Sequence, residues 1–204
     1  MISLCMVVHN EEKTLRRAIQ SAKDLVNEIV IVDQSSTDRT FEIAKELGDI
    51  VVRKRLKGNA DPDREYCATL ARGEWILFLD ADEYLSPRLK SKIPKIAKNG
   101  FLDVFWIRFE NFVDGVNIKE ILGDDFHPRL YKKGAVVWLP EAHVYPKIRS
   151  PLQGWVMEPI IHDRKMVRVK EIHKLRGQFI SPDKRRVEQE FLKRVEALVG
   201  SNKR

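Results

Sequence analysis

The chain has 204 residues, 43% hydrophobic and 33% charged, with two cysteines and a formal net charge of +7. That length supports one substantial core, with room for an appendage, and Cys5 and Cys67 are too few for a disulfide framework or a zinc site, so both read as reduced core thiols. No apolar run approaches the roughly 18 to 20 residues that cross a bilayer, and the N-terminus lacks a basic flank with a long apolar segment behind it, so a cytoplasmic location is expected.

Ile2 to Val8 reads as a first buried strand. Asn10-Glu11-Glu12 follows, with Asn10 placed to cap a helix running to about Ala22 and acids in its favourable first turn. Glu28 to Asp33 predicts a second strand, after which Ser35-Ser36-Thr37-Asp38 has the form of a capping box for a helix from Arg39 to Leu47, stopped by Gly48. Ile50 to Arg53 gives a short third strand. Asp61-Pro62-Asp63 supplies a cap, a first-turn proline and an acid for a helix through Ala71, with Gly73 as its stop. Trp75 to Leu79 is then five apolar residues in a row, suited to a central strand covered on both faces. This alternation predicts a parallel sheet with right-handed crossovers, whose ligands bind beyond the carboxyl ends of the strands.

The character changes at Ser86-Pro87, which opens a helix that Pro94 is expected to kink or end and Gly100 to punctuate. Aromatic-rich Leu102 to Phe109 reads as a strand, with shorter candidates at Arg129 to Lys132, Val136 to Leu139 and Glu158 to Ile161. Beyond Ser181-Pro182-Asp183, the spacing of Val187, Phe191, Val195, Leu198 and Val199 defines a last amphipathic helix. The basic excess gathers at Arg53 to Lys57 and from Lys165 to Arg204.

The chemistry concentrates at Asp80-Ala81-Asp82-Glu83, where the Trp75 strand ends. Side chains at i and i+2 of an extended segment share a side, so Asp80 and Asp82 can converge on one hard cation, or on a ribose and a cation side by side. An isolated Asp-x-Asp is more often a solvated turn. Here Asp33 and the Val8-His9-Asn10 turn stand at the ends of neighbouring strands, so three strand ends carry polar groups to one edge. No Walker loop or Gly-x-Gly-x-x-Gly follows any predicted strand, which sets aside phosphate-loop hydrolases and dinucleotide oxidoreductases.

Val7-Val8-His9-Asn10-Glu11-Glu12, the run from Val30 to Thr40 and the run from Arg72 to Glu83 together resemble the family 2 glycosyltransferases, nucleotide-sugar enzymes with the GT-A fold. The resemblance is strong over about residues 1–90 and looser to about residue 165, where it is nearest to bacterial and archaeal members that extend lipopolysaccharide core or other surface glycans. It implies an α/β fold, with a mostly parallel, Rossmann-like central sheet flanked by helices, a smaller mixed acceptor-side sheet and a C-terminal amphipathic helix. The expected organisation is a nucleotide-sugar half at 1–100, an acceptor and catalytic half of the same domain at 101–165, and a basic helical tail at 166–204.

The same resemblance implies roles. Val8, by its backbone, and Asp33 would hold the nucleobase, usually uracil, with His9 stacking and Glu11 in the same nucleotide-side turn. Asp80 would bind ribose or the metal shell, and Asp82 would ligate the Mn²⁺ or Mg²⁺ that bridges the diphosphate. Arg64 matches a basic position near the phosphates, although Glu65 stands where relatives often carry Asn. Gly123 to Leu130 resembles the acidic pair followed by Arg-Leu that carries the base in many inverting members, with a shorter spacing from Asp125 to Arg129. Asp125 is the first choice, and Asp124 takes its place if the loop is shifted by one residue. Glu141 is the rival, near where relatives carry a His-Glu pair that Val144 breaks here. His143 and His162 stand where late histidines reach the metal or diphosphate in some GT-A enzymes, a structural role being the plainer alternative.

The expected activity is metal-dependent, inverting transfer of a sugar from a nucleoside diphosphate sugar, UDP-linked by preference, to a glycan or lipid-linked acceptor, with no nucleic acid partner. One alternative is a sugar nucleotidyltransferase, disfavoured because the loop from Val8 to Glu11 has no glycine. Another is a non-enzymatic basic module for membrane or nucleic acid, supported by Lys184-Arg185-Arg186 and diluted by Glu188, Glu190 and Glu196. Peripheral contact with the inner face of the cell membrane stays open.

Overall fold

The computed structural model describes residues 1–56, 61–139, 146–167, 169–170 and 182–202. Strands β1 (Ile2–Val8), β2 (Glu28–Asp33), β3 (Ile50–Arg53) and β4 (Trp75–Phe78) lie in the parallel order β3-β2-β1-β4. Every residue of β1, β2 and β4 is buried, which is why these strands read as unbroken apolar runs rather than alternating ones. Helices α1 (Leu15–Ala22), α2 (Thr40–Leu47) and α3 (Asp61–Leu70) supply the crossovers. Leu15, Ala18, Ile19 and Ala22 of α1 pack on one face of the sheet, while Cys67 of α3 packs with Cys5, Val30 and Phe78 on the other. Both cysteines are buried free thiols, as expected.

The amino ends of these strands are tied by one buried carboxylate. Glu28 accepts from the Ser3 hydroxyl at 2.6 Å and from the Arg72 backbone N–H at 2.8 Å, and Ser3 Oγ in turn accepts from Gly73 N at 2.9 Å. A Cβ on Gly73 would lie 2.5 Å from Ser3 Oγ and 2.8 Å from Ser3 N, so close backbone approach requires glycine here. All three strands therefore start in register and deliver their carboxyl ends to the same edge.

The second half contains β5 (Glu83–Leu85), α4 (Pro87–Asn99), β6 (Val104–Val113), β7 (Val116–Asn117), α5 (Lys119–Leu122), β8 (Asp125–Lys132), β9 (Val136–Val137), β10 (Lys147–Ile148), β11 (Gln153–Arg164) and α6 (Pro182–Ser201). Strand β8 pairs antiparallel with β4, and the order continues β8-β6-β11-β5. The mixed strands of the second half thus extend the parallel sheet instead of forming a sheet of their own, because the free edge of β4 needs a partner for its N–H and C=O groups. Among the described residues, β9 and β10 form a separate two-stranded pair. The last helix is amphipathic as expected, with Val195 and Val199 buried against Val113, Ile118 and Val169.

Local details differ from the sequence expectations. Asn10 does not cap α1. It adopts φ +54°, its side-chain carbonyl accepts from Thr37 N at 2.8 Å, and α1 begins after Thr14. The expected capping box before α2 does not form either, since Arg39 is the cap residue and Asp38 instead accepts from Thr40 N and Glu12 N. Helix α4 runs through Pro94 to a left-handed Gly100. Pro94 is exposed, so the Lys90 carbonyl that loses its donor can turn to water. Among the described residues no helix is long and apolar enough to cross a membrane.

Candidate active site at the strand ends

The first rim of the site joins the ends of β1 and β2. Val8 lies beside Asp33 in register, and its carbonyl accepts from Gln34 N at 2.8 Å. Asp33 is fully buried, accepts from Ser36 N at 3.1 Å and lies 3.3 Å from Arg53 Nε. His9 Nδ1 meets the Gln34 carbonyl at 2.8 Å, Asn10 N donates to Ser36 Oγ, and Glu11 N donates to Thr40 Oγ1. The Glu11 carboxylate accepts from the Thr14 hydroxyl at 2.8 Å. Val8, His9, Glu11 and Asp33 are therefore one laced rim, in which Glu11 braces the turn toward α1.

The second rim follows β4. Arg64 of α3 donates to both oxygens of Asp80, at 2.6 and 2.8 Å, and Arg129 of β8 reaches Asp80 at 3.1 Å. Burial opposes ionisation of Asp80, but the Arg64 and Arg129 charges outweigh it and hold the carboxyl well below its usual range. Asp82 is set the same way: burial raises it, while the Arg164 guanidinium, with Nε at 2.7 Å, brings it well below, and His162 Nε2 lies 3.3 Å from the same oxygen. Glu83 is the exception. Burial and the neighbouring Asp80 and Asp82 charges push it up to about 8 against the pull of Arg129, which donates to it at 2.6 Å. The Asp80 N–H also donates to Glu83, at 2.9 Å.

Arg64 is further held over the rings of Phe78 and Trp138, 4.8 and 4.9 Å from their centroids. Glu65, the departure from the family pattern, accepts from Trp138 N at 2.9 Å and so fixes one wall beside Arg64. Ligand atoms of Asp82, Glu83 and His162 lie within 4.8 Å of one another. The Asp82 carboxylate and an imidazole nitrogen, which Glu83 joins only on losing its proton, form a donor set that fits Mn²⁺ well and Mg²⁺ less well, because Mg²⁺ prefers oxygen alone.

Asp125 opens β8, its side chain 22% exposed, between Asn111 Nδ2 at 3.0 Å and His127 Nε2 at 2.9 Å. Burial raises its carboxyl, but these two partners, His127 foremost, outweigh it and keep the group ionised, below the usual range. Asp124 is 61% exposed and pairs with Lys119 at 2.9 Å, away from Asn111. Glu141 and His143 lie outside the described residues. Asn111 also meets His162 Nδ1, at 2.8 Å. Sequence reasoning named Asp80, Asp82, Arg64 and Asp125 but passed over Arg164 and Asn111, whose strands become neighbours of these groups only through the sheet. Glu83 and Arg129 stood inside quoted motifs, and nothing local assigned them a role.

An α/β sheet with acids at its strand ends, faced by arginines from α3, β8 and β11, gathers opposite charges at the edge where sheets of this class bind their ligands. The family described as Glycosyl transferase family 2 matches residues 3–170, and the chain belongs to that family. An uncharacterized glycosyltransferase of Rickettsia bellii is 39% identical over 95 residues, which is 47% of this chain and 32% of the relative. Glycosyltransferase SunS of Bacillus subtilis is 35% identical over 99 residues, 48% of this chain and 24% of the relative. The aligned stretches are thus about a third or less of these relatives' length. The crystal structure of S. aureus TarS 1–349 in complex with UDP superposes with a TM-score of 0.58 at 17% identity, over 94% of this chain and 69% of that one. Its complex with UDP-GlcNAc gives 0.58 at 16% identity. The shared fold is GT-A, as the sequence resemblance implied.

Proposed function

We propose that this chain transfers a sugar from a nucleoside diphosphate sugar, UDP-linked by preference, to a hydroxyl of a glycan or lipid-linked acceptor, with inversion at the anomeric carbon. The observation that carries this reading is the convergence of Asp80, Asp82 and His162 with Arg64, Arg129 and Arg164 at the end of β4, one strand away from the Val8 and Asp33 rim. The UDP and UDP-GlcNAc named in the TarS complexes favour a uridine donor. In this reading Val8 and Asp33 recognise the base, and Asp80 faces the ribose. Asp82 and His162, with Glu83 behind them, would hold Mn²⁺ or Mg²⁺, which supplies Lewis-acid neutralisation of the leaving diphosphate. Arg64 and Arg164 exchange a carboxylate partner for diphosphate oxygens, and Asp125 takes the acceptor hydroxyl proton as the new C–O bond forms.

The test is thermal. UDP or GDP with Mn²⁺ raises the melting temperature of the wild-type chain, and Asp82→Ala removes the metal-dependent part of the shift. No metal-dependent shift with any nucleotide contradicts the proposal. A screen of donors for hydrolysis or transfer then identifies the sugar, while pyrophosphate release from a nucleoside triphosphate would indicate nucleotidyl transfer instead.

A further inference from the structure

Asn111 lies on β6, between β8 and β11, and its side-chain amide bridges the two flanking strands. It is buried, 8% exposed. Its register partner on β11 is His162, and Asp125 on β8 pairs with Phe109 two residues before it. One end of the amide lies 3.0 Å from Asp125 Oδ2 and the other 2.8 Å from His162 Nδ1.

With Asp125 ionised and the His162 ring neutral, the polarity of these groups sets the proton positions. An ionised carboxylate only accepts, so the amide must turn its NH₂ toward Asp125. That leaves the amide carbonyl facing His162, and a carbonyl also only accepts. Nδ1 of His162 must then carry the hydrogen, and in the neutral ring Nε2 presents a lone pair. This lone pair faces Asp82 Oδ2 across 3.3 Å. Two acceptors held face to face at that separation are a seat for a cation.

We propose that Asn111 is a positioning residue that sets the His162 tautomer for metal ligation and, through the same amide, holds the Asp125 carboxylate in a fixed orientation, so that cation seat and base form one hydrogen-bonded unit. The inference rests on the reading of Asp82 and His162 as metal ligands and of Asp125 as the base. It adds that the two are set by a single side chain. Phe109 packs edge-on against His127 and His162, with centroids 4.7 and 6.0 Å away, and closes the unit on its buried side.

The direct test is long-range ¹H–¹⁵N NMR of the imidazoles in the metal-free full chain at pH about 8, where an ordinary imidazole is neutral. The chain has five histidines, and a His162→Gln variant assigns the signal. The expected result is His162 protonated at Nδ1 and bare at Nε2. Asn111→Leu, of similar volume, should lose that preference and bind Mn²⁺ about 10- to 100-fold more weakly by electron paramagnetic resonance. Asn111→Asp should restore both, because a carboxylate also accepts from Nδ1, yet it sets a second acid against Asp125 and lowers kcat with little change in donor KM. A wild-type His162 protonated at Nε2 overturns the inference, and so does Asn111→Leu with unchanged tautomer and Mn²⁺ affinity. Should Asn111→Leu fail to fold, the wild-type spectrum and Asn111→Asp decide. A wild-type chain that binds no Mn²⁺ overturns the metal reading, while the tautomer signal still decides whether Asn111 orients His162.

Discussion

Three carboxylates within four residues have different electrostatic fates, and their partners explain why. Asp80 faces Arg64 and Arg129, Asp82 faces Arg164 and His162, and both stay ionised. Glu83 is 1% exposed and shares Arg129 with Asp80, so burial and two neighbouring negative charges dominate it. The acidic run was legible because its spacing is local. Arg164 was not, since β11 brings it to Asp82 from 82 residues away. The proposed choice of Asp125 over Asp124 as base likewise rests on partners. Asp125 sits on the network through Asn111, whereas Asp124 faces solvent beside Lys119. We expect Asp125→Asn to lower kcat by about 10²- to 10⁴-fold, the span of general base catalysis, and Asp124→Asn to leave it within about threefold. Steady-state transfer rates with an identified donor check both, and equal losses would remove Asp125 from its role.

Among the elements, those long enough to show a period or an unbroken apolar run were readable, and β1, β2, β3 and the last helix stand within a few residues of expectation. Strands of two or three residues such as β5, β7 and β10 carry too little pattern to be seen, while β9 falls within the expected strand at Val136 to Leu139. Asn10 misled because a residue at positive φ spends its side chain on the neighbouring loop instead of on its own helix. Glu28 gives the elements of the parallel half a testable anchor. Burial raises its carboxyl, but the Ser3 hydroxyl and the Arg72 backbone and side chain bring it below its ordinary 4.5. A depressed folded value means stabilisation that is fully present above that ordinary value and lost as pH falls below it. Glu28→Gln should therefore cost about 2 kcal/mol near neutral pH, the scale of a hydrogen bond to a buried charge, and the gap to wild type should close in acid. Urea unfolding of both proteins across that range measures it, and a gap that widens on acidification would contradict the assignment.

At the scale of the whole molecule, one sheet carries both halves. Asp33, Asp80, Asp82, Asp125 and His162 come from strands or strand ends of that sheet, so the proposed donor and acceptor groups share one frame. Such continuity was not readable, because the β4 to β8 pairing joins segments about fifty residues apart with no local mark on either. The apolar stripe of α6 was readable, and its destination is the small cluster around Val113 and Ile118, with Val187 left 70% exposed. Val195→Asp should raise amide exchange in α6 and β7 by more than about tenfold while β1 to β4 keep their protection, since that cluster is separate from the two that flank the parallel strands. Exchange rising equally in β1 to β4 would show that α6 supports the whole fold.

The most direct measurement of the central claim is anomalous diffraction from crystals of the chain grown with UDP and Mn²⁺. A manganese peak bonded to the Asp82 carboxylate and His162 Nε2 is expected, with the uracil at Val8 and Asp33 and the diphosphate between the two rims. Manganese bound elsewhere, or a nucleotide seated away from the end of β4, would contradict it.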